Sequence, residues 1–296
     1  MEIYINGELA GSHIGMYGEI QVDGSKLLKP GKNLVVVKVT RKADGSASEN
    51  GSAAIDFFYS SVRESEKEGG KVAVKNNILK DIAHGFYGDE PAGIWQPVKL
   101  TITNPVKVED VFIKPTLEGA TFDLTVKNHR GKKNQFDLYT DIVDKETILY
   151  DFRLWLVTAK GVELVCLAET SGFRTFEVKE GVFFLNGNRY WLRGGNHIPF
   201  ALAPNDLNLA NTFMQLMKAG NIDVTRTHTT PWNKLWMGAA DKNGIGVSFE
   251  GTWPWLMIHS TPLPDAKLIE MWKEEFLTLL KKYRNHPSLL FWTVNN

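Results

Sequence analysis

One cysteine, Cys166, stands among 296 residues. A single thiol closes no intrachain disulfide, so the cysteine count assigns no redox compartment. Cys166 lies in the apolar run 162–167 and reads as core packing. No stretch approaches 18 apolar residues, which excludes a spanning helix. Net charge is missing too, with 34 basic side chains balancing 34 acidic ones. A neutral chain has no general attraction for polyanions, which argues against nucleic acid and acidic membrane surfaces as partners. Met1–Gly11 is charged and strand-like, without the apolar centre of a signal peptide, and the compartment stays unassigned. The 7 histidines show no HExxH or other ligand spacing, so no metal site is expected. Arg193-Gly194-Gly195-Asn196-His197 lacks the GxGxxG spacing of a dinucleotide loop, and no cofactor is expected.

What is present is a globular composition, 43% hydrophobic and 23% charged, at a length suited to two or three domains. Residues 1–102 read as strands. Glu2–Ile5 runs into Asn6-Gly7, a two-residue hairpin signal. Leu34–Val39 is an apolar β-branched run, and Gly93–Leu100 reads as a strand. The polar, glycine-bearing stretch Ser60–Lys75 is expected to be a long loop. Residues 103–180 continue with strands at sandwich-like spacing: Val108–Ile113, Thr121–Lys127, Gln135–Val143 and Val162–Ala168.

After residue 181 the pattern alternates between strand and helix. Tyr190–Arg193 is the first strand. A helix follows with Asp206 as cap, Leu209, Phe213, Leu216 and Met217 on one face, and Gly220 past its end. Ile222–Arg226 is the second strand. Pro231 opens a second helix that stops at Gly244. Ile245–Phe249, a helix from about Asp265 to Tyr283, and Leu289–Val294 complete β-α-β-α-β-α-β. That order belongs to half a (β/α)8 barrel or to part of a doubly wound sheet. Polar residues gather at the strand ends: Asn196 and His197, Arg226 and His228, Glu250, Asn295 and Asn296. In barrels that end carries the chemistry.

The run from Arg284-Asn285-His286-Pro287-Ser288 through Trp292 to Asn295-Asn296 resembles the acid/base signature of glycoside hydrolase family 2. Gly172–Val178, Phe184–Gly187 and Arg193-Gly194 resemble the approach to that family's barrel, and Gly93–Val98 the end of its sugar-binding domain. The resemblance implies a multidomain β plus α/β protein. Residues 1–102 would be a partial jelly-roll-like sandwich, 103–180 an immunoglobulin-like sandwich, and 181–296 the first half of a TIM barrel. The implied activity is retaining hydrolysis of β-glycosides. The acid/base glutamate would follow Asn296 and the nucleophile would lie on a later strand, so no catalytic residue is assigned within the chain.

Half a binding site is expected instead. By resemblance, Asn296 contacts the sugar 2-hydroxyl and Arg226 holds a catalytic carboxylate ionised; a structural ion pair is the alternative for Arg226. Asn196, His197 and His228 are candidate hydroxyl contacts. Glu250 supports binding rather than chemistry, and Trp253 forms a subsite wall. Trp292 reads as core. The sequence departs from a galactosidase-like pattern at Thr229, where histidine is usual, so the sugar is left open. The expected partner is a β-linked oligosaccharide or glycoside, with self-association through the open half-barrel. A carbohydrate-binding scaffold, or a subunit of a split glycosidase, is the alternative function. Residues 181–296 are expected to be the least stable part, with some of Phe276, Leu279 and Leu280 partly bare.

Overall fold

The computed structural model describes residues 1–13, 17–40, 93–129, 131, 135–145, 149–161, 163–196, 203–227, 231–253 and 266–295; at 163–166, 252–253, 266–269, 271–272 and 295 the description covers the backbone. The expected loop at 60–75, together with His197, His228 and Asn296, lies outside the described residues.

The first sheet joins β1 (Glu2–Ile5), β2 (Glu8–Ser12) and β3 (Val35–Lys38) in the order β2-β1-β3. Asn6 and Gly7 both take positive φ, 52° and 88°, as the tight hairpin turn between β1 and β2 requires. The expected strand at Gly93–Leu100 is not formed, and no described strand pairs with it. Pro97 brings no N–H to a ladder. Val98 and Leu100 are 76% and 78% exposed, so burial gives that segment no reason to extend against a neighbour.

Two further antiparallel sheets face each other. One pairs β4 (Val106–Pro115) with β5 (Ala120–Asn128); the other is β6 (Phe136–Asp144), β7 (Tyr150–Thr158) and β8 (Glu163–Ser171), in that order. Alternation on β4 and β7 turns Val111, Ile113, Phe152 and Leu154 into one buried cluster, and Val106, Val108 and Leu156 into another. A small meander follows, formed by β9 (Phe176–Lys179), β10 (Val182–Leu185) and β11 (Asn188–Arg189).

The last sheet is parallel: β12 (Gly194–Asn196), β13 (Val224–Arg226), β14 (Gly246–Trp253) and β15 (Leu289–Asn295), lying side by side in sequence order. A doubly wound sheet reverses its strand order at a switch point. This one does not, so the sheet is part of a barrel. Between its strands run α1 (Leu207–Ala219), α2 (Lys234–Asn243) and α3 (Ala266–Tyr283). Asp206 and Asn233 cap the first two by accepting from Leu209 N and Trp236 N. Gly244 ends α2 at φ 66°, a left-handed conformation that suits glycine.

Three expectations need correction. The first barrel strand begins at Gly194 rather than Tyr190, because Tyr190 N donates to Phe183 O at 2.7 Å and so belongs to the meander. Gly194 can then approach β13 closely: a Cβ there would collide with the Val224 carbonyl. Leu216 is exposed, because the buried stripe of α1 runs through Ala210, Met214 and Met217 at helical spacing. Of the three apolar residues expected partly bare, Phe276 and Leu279 are covered, at 9% and 0% exposed, and Leu280 is half-buried. Leu279 joins the largest buried cluster, with Trp232, Trp236, Met237, Val247, Phe249 and Tyr283, against which Trp292 packs as expected. Helices and strands cover one another within this half, whatever the state of its edge strands.

Candidate functional site

Parallel pairing brings the C-terminal ends of the four strands together. Asn196 is the register partner of Arg226, Arg226 of Ser248, Glu250 of Thr293, and Trp253 of Asn295. Successive residues of a strand point to opposite faces. Val247 and Phe249 enter the core under the helices. Ser248 and Glu250 therefore take the other face, where the Ser248 Oγ and Thr293 Oγ1 hydroxyls meet at 2.6 Å.

Arg226 and Glu250 are the two expected site residues that the structure brings into contact. Arg226 Nε donates to Glu250 Oε2 at 2.9 Å, from a side chain 28% exposed to one fully buried. The backbone N–H of Glu250 donates to Thr227 Oγ1 at 2.8 Å, which fixes the strand at that point. Glu250 Oε1 is buried and has no hydrogen-bond partner among the described residues. An ionised carboxylate accepts several bonds. With one oxygen committed to a guanidinium, the other is suited to accept from a hydroxyl. Asn196 is exposed at the end of β12, beside this pair. Trp253 occupies the last position of β14.

The motif that precedes β15 has a different role, which the sequence did not reveal. Asn285 Nδ2 donates to Val111 O at 3.1 Å, and its Oδ1 accepts from Ile113 N at 3.0 Å. Ser171 Oγ donates to Asn285 O at 2.7 Å. Arg284 reaches Asp110 Oδ2 at 2.5 Å and lies 4.7 Å over the Phe112 ring. Arg174 Nε donates to Pro287 O at 2.5 Å, and its Nη2 donates to Leu289 O. Thus Arg284, Asn285 and Pro287 bind the root of β15 to β4, to the end of β8 and to the segment after it.

Asp241, on α2, was not singled out from the sequence. It is 5% exposed and accepts from His286 Nδ1 at 2.6 Å, from Ser288 N at 3.0 Å and from Ser288 Oγ at 2.5 Å. Its signal was an acidic residue four positions after Met237 on an otherwise buried helix face. Glu275, on α3, is a second such residue. It accepts from Tyr17 N at 3.1 Å and Gly18 N at 2.7 Å, and lies 3.3 Å from His13 Nε2. Both carboxylates hold parts of the chain together rather than face the strand ends. Among the described residues no cluster of His, Cys, Asp or Glu could hold a metal ion, and no helix is long and apolar enough to cross a membrane.

The family model described as "Glycosyl hydrolases family 2, TIM barrel domain" matches residues 176–296. A beta-galactosidase of Priestia megaterium is 25% identical over 99% of this chain and 31% of its own length. A beta-galactosidase of Lactobacillus delbrueckii subsp. bulgaricus is 30% identical over 50% of this chain and 16% of its own length. The crystal structure of a glycosyl hydrolase family 2 member from Bacteroides cellulosilyticus superposes over 100% of this chain and 41% of that one, with TM-score 0.72 and 19% identity. The chain spans about a third of the length of the relatives that it matches from end to end.

Proposed function

Because residues 176–296 match the TIM barrel model of glycoside hydrolase family 2, we propose that the chain is part of a retaining β-glycoside hydrolase of that family and forms one wall of the sugar site. The observation that carries this reading is the pair between Arg226, the last residue of β13, and Glu250, in the C-terminal half of β14, toward the end at which barrels place their chemistry. In this reading Asn196, Arg226, Glu250 and Trp253, with His197, His228 and Asn296, line that wall. Residues 1–102 and 103–180 are the two sandwiches that precede the barrel; support for the second comes from the β4-β5 sheet packed face to face on β6-β7-β8.

Retaining hydrolysis uses two carboxyl groups about 5–5.5 Å apart, one to protonate the leaving oxygen and one to attack the anomeric carbon. The described strand ends hold one carboxylate, Glu250, and it is already bonded to Arg226. Glu250 therefore orients Arg226 and accepts a substrate hydroxyl, and the reacting pair lies outside the described strand ends.

The test uses the 296-residue chain and the product of the same reading frame continued to its stop codon. Each is assayed on aryl β-galactoside, β-glucoside, β-mannoside, β-glucuronide and β-glucosaminide. We expect no turnover by the 296-residue chain and retention of configuration wherever turnover occurs. Inversion, or a continued product inert on every β-glycoside, would overturn the reading. Turnover by the 296-residue chain that is lost in Glu250→Gln would move Glu250 into the chemistry.

A further inference from the structure

The outward face of the β6-β7-β8 sheet carries a feature that the sugar site does not use. Phe152, Leu154 and Leu156 of β7 are buried against β4 and β5, so Arg153, Trp155 and Val157 face the other way. Through the antiparallel register, Asp141, Tyr139 and Asp137 stand opposite these three residues on the same face. Tyr139 and Trp155 form a cross-strand aromatic pair, with ring centroids 6.1 Å apart and planes 13° from parallel. Tyr139 is 49% exposed. Two large rings held parallel on the wet side of a sheet contribute little to the core.

We propose that this face is a carbohydrate-binding platform, in which the exposed outer face of the Tyr139 ring, backed by the half-buried Trp155, stacks on a neutral pyranose unit of a β-linked glycan while Asp137, Asp141 and Arg153 meet its hydroxyls. An aromatic ring presents a negative face, and one face of a pyranose presents slightly positive C–H groups, so the two stack. The carboxylates and guanidinium that border the rings are strong partners for the hydroxyls around the sugar's edge. Other occupants fit less well. Two aromatic side chains bury about 150–250 Å² each, below the roughly 800 Å² per partner of a stable protein interface. Nucleobases also stack on such rings, but Asp137 and Asp141 would repel the phosphates. The choice of a β-linked glycan rests on the hydrolase reading above; the platform itself does not.

Affinity electrophoresis of the 296-residue chain in native gels tests it, with soluble galactomannan, mixed-linkage β-glucan or xyloglucan in the gel and α-linked pullulan as control. We expect at least one β-linked polymer to retard the protein and pullulan to leave it free. Tyr139→Ala and Trp155→Ala should weaken binding about tenfold, as loss of one stacking contact implies. Tyr139→Phe should retain it, and thermal unfolding should show that each variant is folded. No retardation by any β-linked polymer, equal retardation of Tyr139→Ala, or retardation by pullulan alone would overturn the proposal. Binding is read without turnover. Failure here while the continued product still hydrolyses an aryl glycoside removes the platform alone, and retardation of the 296-residue chain while the continued product hydrolyses no glycoside removes the hydrolase reading alone.

Discussion

Asn285 and Ile113 are 172 residues apart, yet the side-chain amide of one completes the backbone bonding of the other. Asn285 Oδ1 accepts the Ile113 N–H at 3.0 Å, while its Nδ2 donates to the Val111 carbonyl two residues away. A side chain thus pairs with β4 much as a neighbouring strand would. It joins the barrel strand that ends at the candidate site to the sheet before it.

Replacing Asn285 with alanine should destabilise the protein by about 1–3 kcal/mol, because a buried N–H and a buried carbonyl lose their partner together. Urea denaturation followed by near-ultraviolet circular dichroism measures it. A change within ~0.5 kcal/mol would show that the joint contributes nothing.

Asp241 should be less tolerant. Asp241→Leu strips His286 Nδ1, Ser288 N and Ser288 Oγ of their acceptor at once, and a loss of roughly 3 kcal/mol or more is expected. Asp241→Asn retains an acceptor oxygen and should lose less. Equal midpoints for the two variants would argue that the hydrogen bonds are unimportant there.

The Arg226–Glu250 pair predicts an asymmetry. Arg226→Met leaves a fully buried carboxylate without its counter-charge, which costs about 3–5 kcal/mol. Arg226→Met combined with Glu250→Gln removes that charge and should recover part of the loss. A double variant as unstable as Arg226→Met would refute the pairing as the cause.

The pH dependence should reveal Lys282. Burial, with repulsion from Lys234, pushes its ammonium down to about 8 from an ordinary 10.5, against the opposing pull of Glu19 and Glu275. Between those values the unfolded chain holds a proton that the native lysine has released, so this group makes stability rise with pH. Above pH 10 the sign reverses: burial raises the Tyr190 phenol to about 12, so the native state keeps a proton that the unfolded state loses. The wild type should gain stability relative to Lys282→Met as pH rises from 8 to 10. A constant difference in melting temperature across that window would contradict it.

Hydrogen exchange should be slowest around Val247, Phe249 and Leu279, each 0% exposed, and faster along β6, where Leu138, Tyr139 and Ile142 are all exposed. The sequence suggested the opposite ranking. Uniformly fast exchange across α2, β14 and α3 would restore it.

Several features were legible in the residues because their causes are local. Asn6-Gly7 prefers the positive φ of a tight hairpin wherever it occurs. Asp206 caps the helix that follows it, and Gly244 stops the helix before it, through the backbone preferences of those residues. The alternation of strands and helices after residue 181 follows from hydrophobic period alone. Tertiary structure decided the rest. Period does not say which neighbours a strand finds, so Gly93–Leu100 was read as extended and pairs with no described strand. Hairpin pairing to Phe183 moved the start of the first barrel strand from Tyr190 to Gly194, past its apolar run. The partners of Asn285, Asp241 and Glu250 lie from 23 to 174 residues away. A hydrogen bond depends on distance and direction in space, and only the folded chain supplies these. Residue types placed Arg226 and Glu250 at strand ends; β14 runs on to Trp253, and the parallel register that sets Arg226 beside Ser248 brings it within reach of Glu250 two residues further on.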